Sequence, residues 1–477
     1  MEASIMSSNS NHVDANTASA QALLASDTLP WHRKITYGFT DMSGNLLYCI
    51  ISSYMLYFFT NVFGLSVGTA GVLLLIGRIF DAIGAPVMGI LVDHTHSKYG
   101  KSRPWFLWMS LPFAIFVWLL FTTPALSGTA KVLYAGVMYI LADLSYTAMS
   151  TPITSVLPNL TSDTDGRMQA NSIRLVLGNV GNFFAVTFII PFAGVLGNGN
   201  EQRGWSLAVG VYSIVAFILL IVAFLDMREK NIENEKVISI KESLKATKGN
   251  WPWVLIVVAN LAYWTAFIVR NSSMPYYFQY NMGSKSLISF FNGFTIIQVI
   301  GMASVPFFVK FMHKWGTTVF FLAMTMVGQA WMGFAGSNTT SALIAWCVAC
   351  IGSGSACTMF FAMVGDTVDF GEWKTGVRAN GFLTAIGASF CIQMGSGFGS
   401  FIASMILSAF GFNAAHATQS AGSLSGISFT FVWVPVIIYA ISLILMIVYR
   451  KWENHEPVVK ADLAERNAKA EAAAANN

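Results

Sequence analysis

The feature that most constrains this chain is a series of apolar segments of about 20 residues or more, the length that a helix needs to cross a bilayer. Charged residues make up 10% of the 477 residues, whereas a soluble domain carries about 25%. So few charges cannot cover the surface of a soluble protein of this size. The sequence therefore predicts an all-α integral membrane protein.

Twelve such segments can be marked, and a charged stretch separates the first six from the last six. They lie near residues 35–60, 67–92, 105–123, 132–155, 172–196, 205–225, 251–279, 286–311, 317–336, 341–364, 378–408 and 425–449. We predict a disordered cytoplasmic tail over 1–30, a six-helix bundle over 31–226, a cytoplasmic central loop over 227–250, a second six-helix bundle over 251–452 and a cytoplasmic tail over 453–477.

The distribution of basic residues predicts the orientation. One set of loops carries most of the cations, including Lys98–Arg103, Arg228–Lys248 and Arg450–Lys451. The short loops on the other side carry only Lys131, Arg203 and Lys285. By the positive-inside rule, both termini and the central loop are cytoplasmic, in a bacterial-type cytoplasmic membrane.

An internal repeat relates the two halves. The second segment leads into LVDHTHSKYGKSRPWFLWM and the eighth into FVKFMHKWGTTVFFLAM. Both turns pass through basic residues to an aromatic–glycine pair, Tyr99–Gly100 or Trp315–Gly316. Equivalent turns six segments apart predict the major facilitator fold, with 12 transmembrane helices in two six-helix pseudo-repeated bundles and a site near the midplane between them.

Ionisable residues inside the spans are the first candidates for function, because burying them in a membrane is costly. Arg78 and Asp81 are three residues apart, so they share one helix face and can form an ion pair. In a functional role, Arg78 orients a ligand or Asp81, and Asp81 takes up a cation or proton. The alternative is an ion pair that only fixes helix packing.

Other polar or aromatic residues predict a cavity around this pair. In the first half they are Asp41, Asn45, Asp143, Tyr146, Thr147, Ser150 and Arg174. In the second half they are Asn260, Tyr263, Trp264, Arg270 and Gln393. Hydrogen bonding between helices, or aromatic packing, is the alternative role.

Charged residues at the cytoplasmic ends of the second and tenth segments suggest a gate. The candidates are Asp93, Arg103, Asp366, Asp369, Glu372, Lys374 and Arg378. Ion pairs at matched positions of two halves could break and reform as the halves rock. Solvated loops are the alternative.

Four motifs resemble the glycoside–pentoside–hexuronide:cation symporter family, which includes the melibiose carrier and the glucuronide and xyloside permeases. They are ITYGFTDMSGN, YFFTNVFGLSVG, RIFDAIGAPVMGILVDHTHSKYGKSRPW and DTVDFGEWKTGVRANG, and the resemblance runs from about Trp31 to Trp452. It implies secondary transport of a sugar or glycoside (an oligosaccharide, pentoside or hexuronide) by alternating access, coupled to sodium or a proton.

The resemblance also implies residue roles. Arg78, Tyr146 and Arg174 match family positions for substrate binding, and Asp81 and Thr147 match positions for cation coupling. This chain departs from the family pattern by having Asn45, Ser150, Phe361 and Gln393 at further substrate positions, and Ala85 where a second acid is usual. Because sodium prefers several oxygen ligands, the loss of acids favours a proton over sodium. An uncoupled sugar facilitator remains an alternative.

The pattern excludes several function classes. It contains no catalytic constellation, no metal-ligand cluster and no phosphate-binding loop, so we expect no enzyme and no cofactor beyond a transported proton, or sodium in its place. We expect a monomer with a small sugar or glycoside and membrane lipid as its partners, and no nucleic acid. A lipid or amphiphile transporter of the same fold is the other candidate.

Overall fold

Long helices form almost all of the described chain in this computed structural model, which covers residues 29–95, 97–161, 164–229, 247–336, 338–376, 380–416 and 418–475. No strand occurs within these ranges. Most of the predicted N-terminal tail and of the central loop lies outside them. The first six helices are α1 Trp31–Val62, α2 Val67–Asp93, α3 Arg103–Leu120, α4 Gly128–Leu160, α5 Thr164–Gly197 and α6 Glu201–Asp226. The others are α7 Trp251–Asn281, α8 286–312, α9 314–334, α10 Thr339–Thr375, α11 Phe382–Ala409, α12 Ala421–Glu453 and α13 Glu456–Ala475.

The helices α8 and α9 are continuous except at one residue. His313 takes a left-handed conformation with φ of 56° and breaks the helical stretch Ser286–Phe334 there. By length and composition, 10 described stretches could cross a membrane, and this long one contains two of the expected spans. Helix α2, which carries Arg78 and Asp81, is not among the 10. Counting it and both parts of the long stretch gives the twelve helices that the sequence predicts.

Packing divides these twelve helices into two groups of six. In the first group α1 packs on α5, while α3 packs on α4 and α6. In the second, α7 packs on α11 and α12, and α10 packs on the long α8–α9 stretch. The groups meet through α2 against α11, α5 against α8 and α1 against α7. This arrangement leaves space for a site between the two groups.

Glycines allow the closest helix contacts. A Cβ atom at Gly181 of α5 would lie 2.6 Å from the Met42 carbonyl oxygen of α1. A Cβ at Gly71 of α2 would occupy the place of the Ser404 side chain of α11. Small residues let helix backbones approach in lipid, where van der Waals packing drives association. The second contact lies between the two bundles, so it also sets how closely they approach.

The C-terminal segment folds into a helix against the end of α10. The Trp373 Nε1 donates to Asp462 Oδ2 at 3.0 Å, and Arg466 Nη1 donates to the Trp373 carbonyl oxygen at 3.0 Å. Val459 is fully buried in this contact. A hydrogen bond with Glu456 raises the pKa of Lys460. The tail therefore holds a fixed position on the second bundle.

Candidate functional site

A cavity of about 340 Å³ lies between the two bundles. Its walls come from α1, α4 and α5 of the first bundle and from α7, α8, α10 and α11 of the second. Small-molecule sites in proteins span about 300–1,000 Å³. The cavity therefore suits a small polar molecule that contacts both halves at once.

The polar lining of this cavity is neutral. Six side-chain amides line it, three from each bundle: Asn45, Asn179, Asn182, Asn271, Asn292 and Gln298. Four aliphatic hydroxyl groups, from Ser52, Ser53, Thr295 and Ser396, lie among them. None of the described residues that line the cavity is Asp, Glu, Lys, Arg or His. Amides and hydroxyls both donate and accept hydrogen bonds, which suits a ligand rich in hydroxyl groups.

Aromatic rings form a further part of the wall, beside aliphatic and sulfur-containing side chains. Tyr48 of α1 and Tyr146 of α4 stack with their ring centroids 4.3 Å apart. On the opposite bundle, Trp264 packs edge to face on Phe267, and the Trp264 Nε1 has no hydrogen-bond partner among the described residues. Aromatic rings offer an apolar face, and an unpaired buried donor needs an acceptor. A bound polyol could supply that acceptor.

A buried cluster of charges lies behind Tyr48. The Arg78 Nη1 is 3.6 Å from Asp81 Oδ2 and 3.3 Å from Asp143 Oδ1, and all three side chains are at most 2% exposed. The Thr147 hydroxyl donates to Asp81 Oδ1. One oxygen of each carboxylate, Asp81 Oδ2 and Asp143 Oδ2, accepts no hydrogen bond from the described residues.

The charges in this cluster do not balance. One guanidinium faces two carboxylates, so the ionised cluster carries one excess negative charge. An uncompensated buried charge is strongly destabilising. One proton taken up by either carboxylate would neutralise the cluster.

Tyr48 and Gln393 connect the charge cluster to the cavity and to the second bundle. The Arg78 Nη1 donates to Tyr48 Oη at 3.2 Å and to Gln393 Oε1 at 3.3 Å. The Tyr48 hydroxyl in turn donates to Gln393 Oε1 at 2.9 Å. Because Gln393 belongs to α11, these bonds cross between the bundles, while the Tyr48 ring lines the cavity.

The other predicted site residues lie in different positions. Asn45, Tyr146 and Trp264 line the cavity. Arg174 lies outside the lining and pairs with Asp41 Oδ1 at 3.5 Å. Ser150 lies four residues after Tyr146, and Phe361 lies four residues after Cys357; both Tyr146 and Cys357 line the cavity. The Phe361 side chain is 42% exposed. These two residues therefore share a helix face with the lining without being part of it.

Three of the predicted gate residues form contacts that the structure describes, and none of these contacts joins the first bundle to the second. Arg103 Nε donates to the Phe224 carbonyl oxygen at 2.7 Å, so it joins α3 to α6. Asp366 accepts from Lys314 Nζ at 2.5 Å, and Lys374 donates to the Gly249 carbonyl oxygen. Asp369 and Glu372 lie on α10 with partners of their own. Asp93 is the last residue of α2, and its side chain is not among those described. Arg378 lies outside the described residues.

Hydrogen bonds join the two bundles at the end of the molecule that lies opposite to the predicted gate residues. Tyr57 donates to Gln279 at 2.6 Å, and Asn61 donates to the Tyr280 hydroxyl at 2.7 Å. Thr60 and Tyr276 share a third bond of 2.7 Å. These contacts close the end of the cavity that lies away from the basic loops.

Several residues of this site were not among the predicted site residues. Asp143 was noted as a polar residue of the fourth span, but its pairing with Arg78 spans 65 positions. Tyr48 and the amides Asn179, Asn182, Asn271, Asn292 and Gln298 were not singled out. The sequence feature that could have identified these amides is a polar side chain inside an apolar span. A neutral amide there indicates a functional site less strongly than a charged residue does.

Comparisons with known proteins agree on one family. A family model described as MFS/sugar transport protein matches residues 36–450. The chain is 36% identical over 459 residues to the isoprimeverose transporter of Lactiplantibacillus pentosus, covering 95% of each protein. It is 30% identical over 437 residues to the inner membrane symporter YicJ of Escherichia coli (strain K12), covering 91% of this chain and 94% of the relative.

A solved structure supports the fold independently of sequence. The crystal structure of a D-xylose-proton symporter aligns with a TM-score of 0.64 at 13% identity, over 87% of this chain and 96% of the other. At this identity the likeness concerns the fold alone. The predicted all-α major facilitator fold is confirmed.

Proposed function

The chain belongs to the MFS/sugar transport family, within its glycoside–pentoside–hexuronide:cation symporters, and we propose that it moves a neutral glycoside together with a proton by alternating access. It is a multi-pass membrane transporter and not an enzyme. The observation that carries the proposal is the neutral, amide-rich cavity shared by both bundles, beside a buried cluster with one excess negative charge.

The cavity lining favours a sugar over a lipid or another amphiphile. Six amides and four aliphatic hydroxyls line a volume of about 340 Å³. Some already bond to protein groups, as Asn292 does to Tyr54 and Asn179 to the Leu175 carbonyl oxygen, but a lipid tail would offer no partner to the remaining donors and acceptors. A buried polar group without a partner costs about 1–3 kcal/mol. The relative's name points to isoprimeverose as the first substrate to test.

The charge cluster and its bonds to the second bundle support the proposal of proton coupling. When Asp81 or Asp143 takes up a proton, the electrostatic attraction between the two carboxyl groups and the Arg78 guanidinium weakens. The bonds from Arg78 to Tyr48 and Gln393 then change in strength, and Tyr48 is also in the cavity wall. Sugar binding and protonation would thus act on the same contacts between the bundles.

Counterflow of labelled isoprimeverose in proteoliposomes tests the function itself. We expect counterflow with the wild-type protein and about tenfold weaker apparent affinity with Trp264→Ala, since an aromatic contact contributes about 0.5–1.5 kcal/mol beyond its buried area. Trp433→Ala is the matched control, because Trp433 packs on Phe334 and is not part of the cavity lining. Equal affinity loss in both variants, or no counterflow of any glycoside, would contradict the proposal.

The coupling ion can be tested by replacing salts. We expect uptake to be unchanged when potassium or choline replaces sodium, and accumulation to vanish with an uncoupler. A proton needs one acceptor, whereas sodium needs a cage of oxygens, and Ala85 stands where a second acid of α2 is usual. Labelled-glycoside uptake into vesicles under imposed gradients measures this. Accumulation driven by sodium alone would overturn proton coupling.

We also propose that the protein acts as a monomer in the bacterial inner membrane with both termini cytoplasmic. The basic residues follow the positive-inside rule, and His32 and Thr36 of α1 contact Asp226 at the end of α6, which places the start and end of the first bundle together. A reporter that is active only outside the cytoplasm should give no signal when fused to the C-terminus. The same reporter inserted between α3 and α4, near Leu126, should be active. The reverse pattern would invert the topology.

A further inference from the structure

Arg270 of α7 is a fully buried arginine with no hydrogen-bond acceptor. Its exposure is 0%, and the Nε, Nη1 and Nη2 atoms all lack a partner among the described residues. No described Asp or Glu forms an ion pair with it, in contrast to Arg78 and Arg174. Arginine stays protonated in proteins, so this is a permanent positive charge inside the second bundle.

The surroundings of Arg270 compensate the charge only in part. The guanidinium carbon lies 5.0 Å from the Phe267 ring centroid and 4.9 Å from that of Trp346. Such cation–π contacts engage the face of the guanidinium, while its N–H groups point outward in the guanidinium plane. Three N–H-bearing atoms therefore still need an acceptor.

A second unpaired donor lies near this arginine. The Tyr439 hydroxyl of α12 has no hydrogen-bond partner among the described residues. The Tyr439 ring lies 5.8 Å from the Tyr263 ring, which stacks on the Phe267 ring beneath Arg270. The nearby Tyr263 hydroxyl is already used, since it donates to the Ser353 carbonyl oxygen at 2.7 Å. A buried positive group and a buried hydroxyl, both without acceptors among the described residues, are the kinds of donor that bind an anion.

We propose that Arg270 and Tyr439 bind a chloride-sized inorganic anion inside the second bundle. Arg270 is not among the residues that line the substrate cavity, and its full burial excludes a large anion or the acid group of a bulky ligand. A monovalent halide needs only a few N–H and O–H donors and cancels one positive charge. This inference does not depend on which sugar is carried.

The first test is the thermal stability of the purified, detergent-solubilised protein. Chloride is titrated against gluconate, which is too large for the site, at constant ionic strength. We expect the wild-type melting temperature to rise saturably by about 2–4 °C with chloride, as for a ligand that binds only the folded state. Bromide should replace chloride, and sulfate should not.

Variants assign the effect to the site. Arg270→Gln should remove the chloride dependence, and Tyr439→Phe should weaken the apparent chloride affinity severalfold without unfolding the protein. Arg450→Gln is the matched control, because Arg450 also lies over a tryptophan ring, at 4.8 Å from the Trp315 centroid, but on the exposed surface. That control should keep the full chloride response.

A direct readout uses the tryptophan next to the arginine. Bromide bound at Arg270 should quench the fluorescence of Trp346 saturably, and Trp346→Phe should remove the saturable part. The proposal is overturned if wild-type stability and fluorescence show no saturable halide dependence, or if Arg270→Gln and Tyr439→Phe both respond as the wild type does. In that case the two aromatic rings alone stabilise the arginine.

Discussion

Replacing Asp81 with asparagine is expected to abolish proton-driven accumulation of the glycoside while leaving counterflow close to the wild-type rate. The substitution leaves Arg78 facing Asp143 alone, so the cluster becomes neutral without a proton. An asparagine oxygen can still accept the hydrogen bond from Thr147. Labelled-glycoside uptake with and without an imposed proton gradient, and counterflow in the same vesicles, measure the two activities separately.

Two further variants sharpen this test. Asp226→Asn is the matched control, because Asp226 is the last residue of α6 and its side chain is 29% exposed, and it should keep proton-driven accumulation. The double variant Asp81→Asn with Asp143→Asn leaves Arg78 buried without a counter-charge, at a cost of about 3–5 kcal/mol. We expect that variant to lose counterflow or expression as well. Normal accumulation by Asp81→Asn would mean that the proton is carried elsewhere.

The sequence was sufficient for the helices and for the pair of charges formed by Arg78 and Asp81. Apolar length defines a span, and the spacing of Arg78 and Asp81 places them on one helix face, so both features are local. The break at residue 313 was expected as a loop between the eighth and ninth spans. The backbone instead makes the turn at His313 alone, with φ of 56°.

Features that depend on tertiary packing could not be predicted from the sequence. The bond from Tyr48 to Gln393 joins residues 345 positions apart, and no local pattern relates them. The lack of an ion-pair partner for Arg270 among the described residues also depends on tertiary packing, because an Asp or Glu on a neighbouring helix could pair with the same arginine. Phe361 shows the limit of residue matching, since a family position indicates a helix face but not which residues reach the cavity.

Crosslinking the closed end of the cavity is expected to stop transport completely. Asn61 of α1 and Tyr280 of α7 are hydrogen-bonded at 2.7 Å across the two bundles. Alternating access by rocking of the two halves requires such contacts to separate in each cycle. The double variant Asn61→Cys with Tyr280→Cys, joined by a short thiol-cleavable bifunctional reagent, should show no uptake or counterflow until the link is reduced.

The control pair lies at the same end of the molecule but within one bundle. Thr122 and the Tyr134 hydroxyl are 2.8 Å apart between α3 and α4, so Thr122→Cys with Tyr134→Cys places a similar link where no separation is required. We expect this link to leave transport near its uncrosslinked rate. The five native cysteines lie in the spans and are buried or half-buried, and the single variants report any reaction with them.

If the first link leaves transport intact while mass spectrometry shows it to be complete, the two bundles do not part at this end, and the hydrogen bonds of Tyr57, Thr60 and Asn61 are fixed structural contacts. If both links stop transport, rigidity within the first bundle is the cause. Only loss with the first link alone assigns these contacts to an outer gate.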